Sequence, residues 1–172
     1  EMEQNISTGI SEGKVGGEVV VDGDEKEVSD ISVSYSDMQI MTQVQERNRV
    51  RVMVSSDTLK EGKVVAVKLY KHVLDVDDAE ELKVTYDGEE ISMADDYKDL
   101  TDTSDGAEYL VSIGSEKVQV LVMVPHFSTH TIELSKVNLG IESIGNIQYY
   151  LPAVMITMIA VLGSVWIAKK KK

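Results

Sequence analysis

The chain has 172 residues, a formal net charge of −13 and no cysteine. Without cysteine it can form no disulfide bond, no thiolate metal site and no cysteine nucleophile. The excess of acidic residues repels the phosphates of nucleic acid and therefore argues against nucleic-acid partners. The length suits one domain of common size.

Residues 1–17 are polar and contain four glycines, so they are predicted to form a flexible N-terminal lead. Asn5 begins an Asn-Ile-Ser sequon, which makes it a glycosylation candidate if the protein is exported. The chain begins at Glu1 without a recognisable signal peptide. A mature exported protein and a fragment of a longer one both fit this beginning.

Short β-prone runs separated by turn residues fill the chain from Glu18 to Leu134. They recur about every ten residues, and no sustained helical periodicity interrupts them. This pattern predicts an all-β fold, an antiparallel β-sandwich of the immunoglobulin-like or a related kind, over residues 18–134. The clearest strands are predicted at 18–22, 31–35, 49–54, 64–70, 82–86, 108–113 and 118–124.

Four segments of the sequence between residues 73 and 124 allow more specific predictions. The run 118–124, VQVLVMV, is apolar at both parities, as in a strand covered on both faces. Asp87-Gly88 is a hairpin-turn signal. Residues 73–81 are predicted to form one or two helical turns, and the acidic residues 95–106 a surface loop.

Clustered aspartates raise the hypothesis of a calcium site, because Ca²⁺ binds carboxylate oxygens. However, with Asp105-Gly106 at positions five and six of a calcium loop, position one is Thr101 and position twelve is Ser112. The motif therefore fails, and solvated acidic loops without a resident cofactor are predicted, with weak divalent-cation binding as the alternative. The candidate ligands are Asp75, Asp77, Asp78, Asp95, Asp96, Asp102 and Asp105.

His126 and His130 have the four-residue spacing of a helical zinc motif. Pro125 and the β-branched residues that follow predict a strand instead, in which residues four apart lie about 13 Å from each other. No metal site is therefore expected there. The third histidine, His72, has no partner that the sequence reveals.

The tripeptide His126-Phe127-Ser128 resembles the self-cleavage site of ZU5-type and GAIN-type β-sandwich domains. In those domains a hydroxyl attacks the preceding carbonyl while a histidine assists as base. The resemblance implies Ser128 as nucleophile, His126 as base and the bond between Phe127 and Ser128 as the one cut. The alternative is that the segment is purely structural.

A broader resemblance covers about residues 64–134. The tracts VTYDGEEI, EYLVSI and VQVLVMVPHFSTHTIEL look like the closing part of β-sandwich domains of prokaryotic, particularly archaeal, cell-surface proteins. Such domains often end in an HFS-type strand just before a membrane anchor. The resemblance implies an exposed surface module and brings no catalytic residue with it.

The C-terminal region predicts a membrane anchor. Residues 135–150 are expected to form a stalk, and the run 151–168 has no ionisable group and is long enough for a helix of roughly 27 Å, close to the thickness of a bilayer. Aromatic residues flank the run and four lysines follow it, which predicts a cytoplasmic basic tail (169–172) and an extracellular N-terminal domain. The interface residues are Tyr149, Tyr150, Trp166, Lys169, Lys170, Lys171 and Lys172.

These features predict a single-pass, membrane-anchored cell-surface or envelope protein that is non-enzymatic and either forms a layer or holds a partner. Its expected partners are the lipid bilayer and other surface or membrane proteins. Two alternatives remain open. One is a self-cleaving domain, and the other is an accessory subunit of a membrane complex, to which the small residues Ala160 and Ser164 would contribute a helix contact.

Overall fold

The computed structural model of the chain describes residues 1–23, 28–46, 48–102 and 106–137. They form one compact unit, Glu1–Val137. A 3₁₀ turn, Ala79–Glu81, precedes the sixth strand. The other elements are α1 (Met2–Ser11), β1 (Val15–Gly23), β2 (Val28–Ser34), β3 (Gln39–Glu46), β4 (Arg49–Ser55), β5 (Lys63–Tyr70), β6 (Leu82–Tyr86), β7 (Glu89–Glu90), β8 (Ser92–Met93), α2 (Tyr97–Leu100), β9 (Glu108–Ile113), β10 (Lys117–Val124) and β11 (Thr129–Lys136).

The strands form two sheets, which confirms the predicted all-β, sandwich-like fold. Sheet A has the order β2-β1-β5-β10-β9-β8, and sheet B has the order β3-β4-β11-β6-β7. Neighbouring strands are antiparallel, as predicted, except for β1 with β5 and β8 with β9, which are parallel, so the prediction of purely antiparallel sheets is wrong at these two pairs. The first strand is therefore inserted between its hairpin partner β2 and the distant β5.

The main core lies between the two sheets and is built largely from valine. In β4, Val50, Val52 and Val54 are fully buried, while the residues that alternate with them, Arg49, Arg51 and Met53, are more exposed. Such alternation places every second side chain in the core, where each is worth about 1.5–3 kcal/mol of burial. Sheet A contributes the matching residues Val19, Val21, Val65, Val67, Leu69, Val118, Val120 and Val122.

A second, smaller core covers the outer face of sheet A. Helix α1 buries Met2 and Ile6 against the residues of β5 and β10 that alternate with the main core, namely Val64, Ala66, Leu121 and Met123. This explains why β10 is apolar at both parities, as predicted. Val15 joins these residues because a register shift between Val15 and Gly17 turns it to this face. The prediction of a flexible lead at residues 1–17 is wrong, because Met2, Ile6 and Ile10 recur every four residues and give the helix an apolar side.

Three further boundaries differ from those predicted. Residues 97–100 of the predicted acidic loop form helix α2, whose first amides, of Lys98 and Asp99, donate to the side chain of Asp96. Strand β11 continues through Ser135 and Lys136, so these residues belong to sheet B and not to a stalk. Within residues 73–81 the predicted helical turns reduce to the single 3₁₀ turn.

The predicted membrane anchor (151–168), the rest of the predicted stalk and the basic tail lie outside the described residues. None of the helices in the described ranges has the length and apolar character needed to cross a bilayer.

Candidate functional site

The site begins at the tight turn between β6 and β7. Asp87 and Gly88 have φ values of 51° and 88°, as a type I′ hairpin turn requires. This confirms the predicted Asp-Gly turn. Asparagine and aspartate tolerate a positive φ better than other non-glycine residues, so the turn itself favours a short carboxylate at position 87.

Asp87 is attached to the neighbouring strand β11 by its backbone and its side chain. Its N–H donates to the carbonyl oxygen of Thr131 (2.8 Å), and Oδ1 accepts from the N–H of Thr131 (2.8 Å). These two bonds fix the carboxylate, so that Oδ2 lies 2.7 Å from Nδ1 of His130.

The carboxyl of Asp87 has a lowered pKa. Burial acts to raise this pKa, but the hydrogen bond from His130, the N–H of Thr131 and the electrostatic interactions with His130 and His126 outweigh it. The carboxylate form is therefore favoured in the folded protein.

His130 is the only buried polar or charged residue in the described part of the chain, with 4% of its surface exposed. The ring of Tyr86 stacks on it at a centroid distance of 5.0 Å and an interplanar angle of 21°. The ring of His126 meets it edge-on, with centroids 4.9 Å apart. The imidazole is thus held in one orientation by two rings and a carboxylate.

The second nitrogen of this imidazole faces a serine hydroxyl. Nε2 of His130 lies 3.0 Å from Oγ of Ser128, which is exposed at the beginning of β11. The backbone of Ser128 is also fixed, because its carbonyl oxygen accepts from the N–H of Ser56 (3.2 Å). Ser128, His130 and Asp87 therefore form a continuous hydrogen-bonded chain of hydroxyl, imidazole and carboxylate, termed here the Ser128 chain.

The predicted roles at His126-Phe127-Ser128 change accordingly. Strand β11 begins at Thr129, so the chain before it is not extended, and the rings of His126 and His130 are far closer than the predicted 13 Å. The nitrogen hydrogen-bonded to Ser128 belongs to His130 and not to His126. Phe127 is half-buried and packs against the main core.

A polar cleft of about 210 Å³ lies beside the first residue of β11. On one wall Oγ1 of Thr58 donates to Oδ2 of Asp37 (2.7 Å). The cleft offers hydroxyl, amide and carboxylate groups next to the Ser128 chain. Its lining residues are Asp37, Met38, Gln39, Ser55, Ser56, Asp57, Thr58 and Thr129.

The calcium candidates do not converge. Asp75, Asp77 and Asp78 follow β5, whereas Asp95 and Asp96 follow β8. In sheet A these two strands are separated by β10 and β9. Among the described residues no group of three or more acidic or histidine side chains could hold a metal ion.

Several of these aspartates already have local partners. Asp77 forms an ion pair with Lys71, whose hydrogen bond and charge lower the pKa of its carboxyl. Asp78 accepts from the N–H of Glu80, and Asp96 caps α2. The exposed Asp102 completes the described candidates, and Asp105 lies outside the described residues.

Of the remaining predicted site residues, only Asn5 lies in the described part of the chain. It is half-buried on α1 and lines a cleft of about 240 Å³ together with Asp95, Asp96 and Tyr97. Tyr149, Tyr150, Trp166 and the four terminal lysines lie outside the described residues. His72 has a partner that the sequence did not reveal, since its Nε2 lies 2.9 Å from Oδ1 of Asp22.

A different kind of surface lies at the edge of sheet A. Strand β2 pairs only with β1 among the described strands and exposes Ile31 (67%), Val33 (44%) and, just beyond the strand, Tyr35 (42%). The partners of Ile31 and Val33 in β1 are Val20 and Glu18, which lie on the outer face of the sheet. This edge strand carries one charged residue, Asp30.

Comparison with protein-family models, with curated proteins and with solved structures found no match to the chain. The class defined by the fold and the site is thus an all-β, sandwich-like unit with a hydroxyl-imidazole-carboxylate chain at one end.

Proposed function

We propose that the protein is a single-pass, membrane-anchored surface or envelope module, with an extracellular β-sandwich of the immunoglobulin-like or a related kind and a cytoplasmic C-terminus. The observation that carries the proposal is the run 151–168, which has no ionisable residue and is followed directly by four lysines. Removing those four positive charges from −13 leaves −17 on residues 1–168. A strongly acidic portion of this kind suits an exposed, solvated location.

The resemblance of residues 64–134 to the closing part of archaeal surface domains supports the same proposal. The compact unit ends at Val137, 14 residues before Leu151, which leaves a short connection to the proposed anchor. In this proposal the sandwich acts as a displayed module and not as an enzyme, and its partners are the bilayer and other surface proteins.

Because the chain has no cysteine, single introduced cysteines can report its topology without background. Ser112→Cys places a thiol on the exposed side of β9, and Lys172→Cys places one at the C-terminus. A membrane-impermeant maleimide should label the first in sealed cells and the second only after lysis. Labelling of Lys172→Cys before lysis, or recovery of the protein in the soluble fraction without detergent, would contradict the proposal.

The partner that fits the exposed edge strand best is a second copy of this chain. Two copies with net charge −13 repel each other over most of their surfaces, whereas β2 offers a contact with a single acidic residue. Antiparallel pairing of two β2 strands would satisfy their free backbone groups and bury Ile31 and Val33 across a twofold axis. Such a contact would build the layer or pair that a surface module needs.

Oxidative cross-linking of the full chain in mild detergent tests this contact. Val33→Cys should form a disulfide-linked dimer, while Ser112→Cys, which is also exposed but lies away from β2, should remain monomeric. Adding Ile31→Lys to Val33→Cys should abolish the dimer. Equal cross-linking from both cysteines would argue against the edge contact, and copurification of other membrane proteins in fixed ratio would favour the accessory subunit.

Self-cleavage between Phe127 and Ser128 is the second candidate function. The hydrogen bond between Ser128 and His130 favours it, since a base already contacts the hydroxyl. In this version His130 replaces His126 as the assisting base. Denaturing electrophoresis should then resolve two fragments of the purified protein, whereas a single full-length band would remove this candidate.

A further inference from the structure

We propose that Ser128 is an activated nucleophile that accepts the acyl or phosphonyl group of an activated ester, with His130 as its base and Asp87 as the positioning residue. The inference does not depend on the membrane anchor, and it differs from self-cleavage because the attacked group belongs to another molecule. It assigns a chemical activity to the Ser128 chain.

The two contacts of the imidazole select the tautomer that this chemistry requires. A carboxylate only accepts hydrogen bonds, so Nδ1, at 2.7 Å from Oδ2 of Asp87, carries the proton. In neutral His130 the other nitrogen then has a free lone pair, and it faces Oγ of Ser128 at 3.0 Å. The hydroxyl of Ser128 therefore donates its hydrogen bond to the unprotonated Nε2 of His130, which can act as a base.

The surroundings keep this arrangement in place before any substrate arrives. Tyr86 and His126 pack on the ring of His130, and Asp87 is bonded to the backbone of Thr131 on the same strand. The base is buried while Ser128 is an exposed residue. An electrophile from solution can thus reach the nucleophile without any movement of the core.

The proposed step balances as an ordinary transfer. Oγ of Ser128 forms a bond to the carbonyl carbon of the ester, and its proton moves to Nε2 of His130. The bond from that carbon to the leaving oxygen breaks, and His130 gives its proton to the departing alkoxide. The products are an alcohol and acyl-Ser128, while Asp87 remains a carboxylate throughout. With a fluorophosphonate, the phosphorus–fluorine bond breaks instead and fluoride leaves.

The polar cleft beside Thr129 indicates where the rest of such a molecule would lie. Its wall contains the hydroxyl of Thr58 and the carboxylate of Asp37, and Ser56 connects it to Ser128 through the backbone. Groups that donate and accept hydrogen bonds suit this wall better than long alkyl chains. Polar or cationic esters are therefore the expected class.

The test uses the full-length protein in mild detergent and a fluorophosphonate probe, followed by intact mass and peptide mapping. One adduct on Ser128 is expected, and it should disappear in Ser128→Ala. Ser112→Ala is the matched control, because Ser112 is an exposed serine on β9 of sheet A, whereas His130 belongs to β11 of sheet B. That variant should label as the parent does.

Two further variants distinguish the role of His130, the proposed base, from that of the neighbouring His126. Asp87→Asn retains a side chain suited to a positive φ but removes the carboxylate, and it should slow labelling at least about tenfold. His126→Phe keeps an aromatic ring against His130 but removes the second imidazole, and it should slow labelling less than Asp87→Asn does. Thermal melts of both variants establish that they are folded, and the parent unfolded in urea should not react.

Three results would overturn the proposal: no adduct on the folded parent, an adduct spread over several serines, or equal labelling of the parent and a folded Asp87→Asn. Spontaneous fragments of 127 and 45 residues without any probe would instead identify self-cleavage. Because none of these readouts depends on membrane insertion, failure here and failure of the anchor proposal remain distinguishable.

Discussion

Nδ1 of His130 lies 2.7 Å from Oδ2 of Asp87, although 43 residues separate them in the chain. The contact joins the β6–β7 turn to the neighbouring strand β11, next to the two hydrogen bonds between Asp87 and Thr131. A single carboxylate therefore serves both the stability of the turn and the orientation of the imidazole.

Asp87→Asn should lower the free energy of unfolding at neutral pH by about 1 kcal/mol. The estimate lies at the low end for a charged hydrogen bond because the side chain of Asp87 is 45% exposed. Urea denaturation of the parent and the variant measures this difference. An unchanged midpoint would show that the contact contributes nothing to stability.

The same pair of proteins should show a defined pH dependence. The pKa of Asp87 is lower in the folded state than its ordinary value of 3.8, so the charged form stabilises the fold. This contribution is present above pH 3.8 and is lost as the pH falls through the folded-state value. The difference in melting temperature between parent and Asp87→Asn should therefore shrink on acidification below pH 3.8, and a gap that widens there would contradict this assignment.

Ile6→Ala should destabilise the protein by roughly 2–4 kcal/mol, because Ile6 is 3% exposed in the second core beneath α1. Ser7→Ala, on the exposed side of the same helix, is the control and should change stability by less than about 0.5 kcal/mol. Equal effects from the two substitutions, measured by urea denaturation, would mean that α1 does not pack on sheet A.

Gly9→Ala should cost about 1–3 kcal/mol through overpacking. A Cβ at this position would overlap Oη of Tyr97 and lie 2.6 Å from Cγ2 of Val15. Oη of Tyr97 is buried without a hydrogen-bond partner among the described residues, so Tyr97→Phe alone should be close to neutral. The double variant Gly9→Ala/Tyr97→Phe should recover part of the loss in a thermal melt, and strict additivity would show that the two sites do not touch.

Lys68→Met should destabilise the attachment of α1 by about 1–3 kcal/mol. The side chain of Lys68 is 13% exposed, and its ammonium group lies between Glu3 of α1 (2.9 Å) and Glu18 of β1 (3.1 Å). Burial acts to lower the pKa of Lys68, but the hydrogen bonds to both glutamates outweigh it and raise the pKa. Glu3→Gln should cost less, since Glu3 is mostly exposed, and the reverse order in urea melts would contradict this account.

The strands were predictable because the two-residue period of their side chains is local information. In β4 the alternation of Arg49 and Arg51 with buried valines appears directly in the sequence, and β6 was predicted with its observed bounds. Helix α1 was missed because the four glycines in residues 1–17 indicate a loop. The spacing of Met2, Ile6 and Ile10 was the signal that could have revealed it.

The candidate site was only half predictable. The resemblance of three adjacent residues implied Ser128 as a nucleophile, which stays a prediction, and which histidine contacts Ser128 depends on where β11 begins. Asp87 was recognised only as a turn residue. Its role requires the pairing of β6 with β11, which places Tyr86 opposite Ile132, and such long-range register is not encoded in any local pattern.

The position of β11 gives the protein a mechanical property. This strand lies between β4 and β6, with seven register pairs on one side and five on the other, and the chain continues from its last residue. A force transmitted through Val137 acts along β11. It therefore loads the inter-strand hydrogen bonds on both sides of β11 together in shear and does not break them one at a time. Any tether at the C-terminus would therefore pull on a strand that is paired on both sides and not on an edge strand.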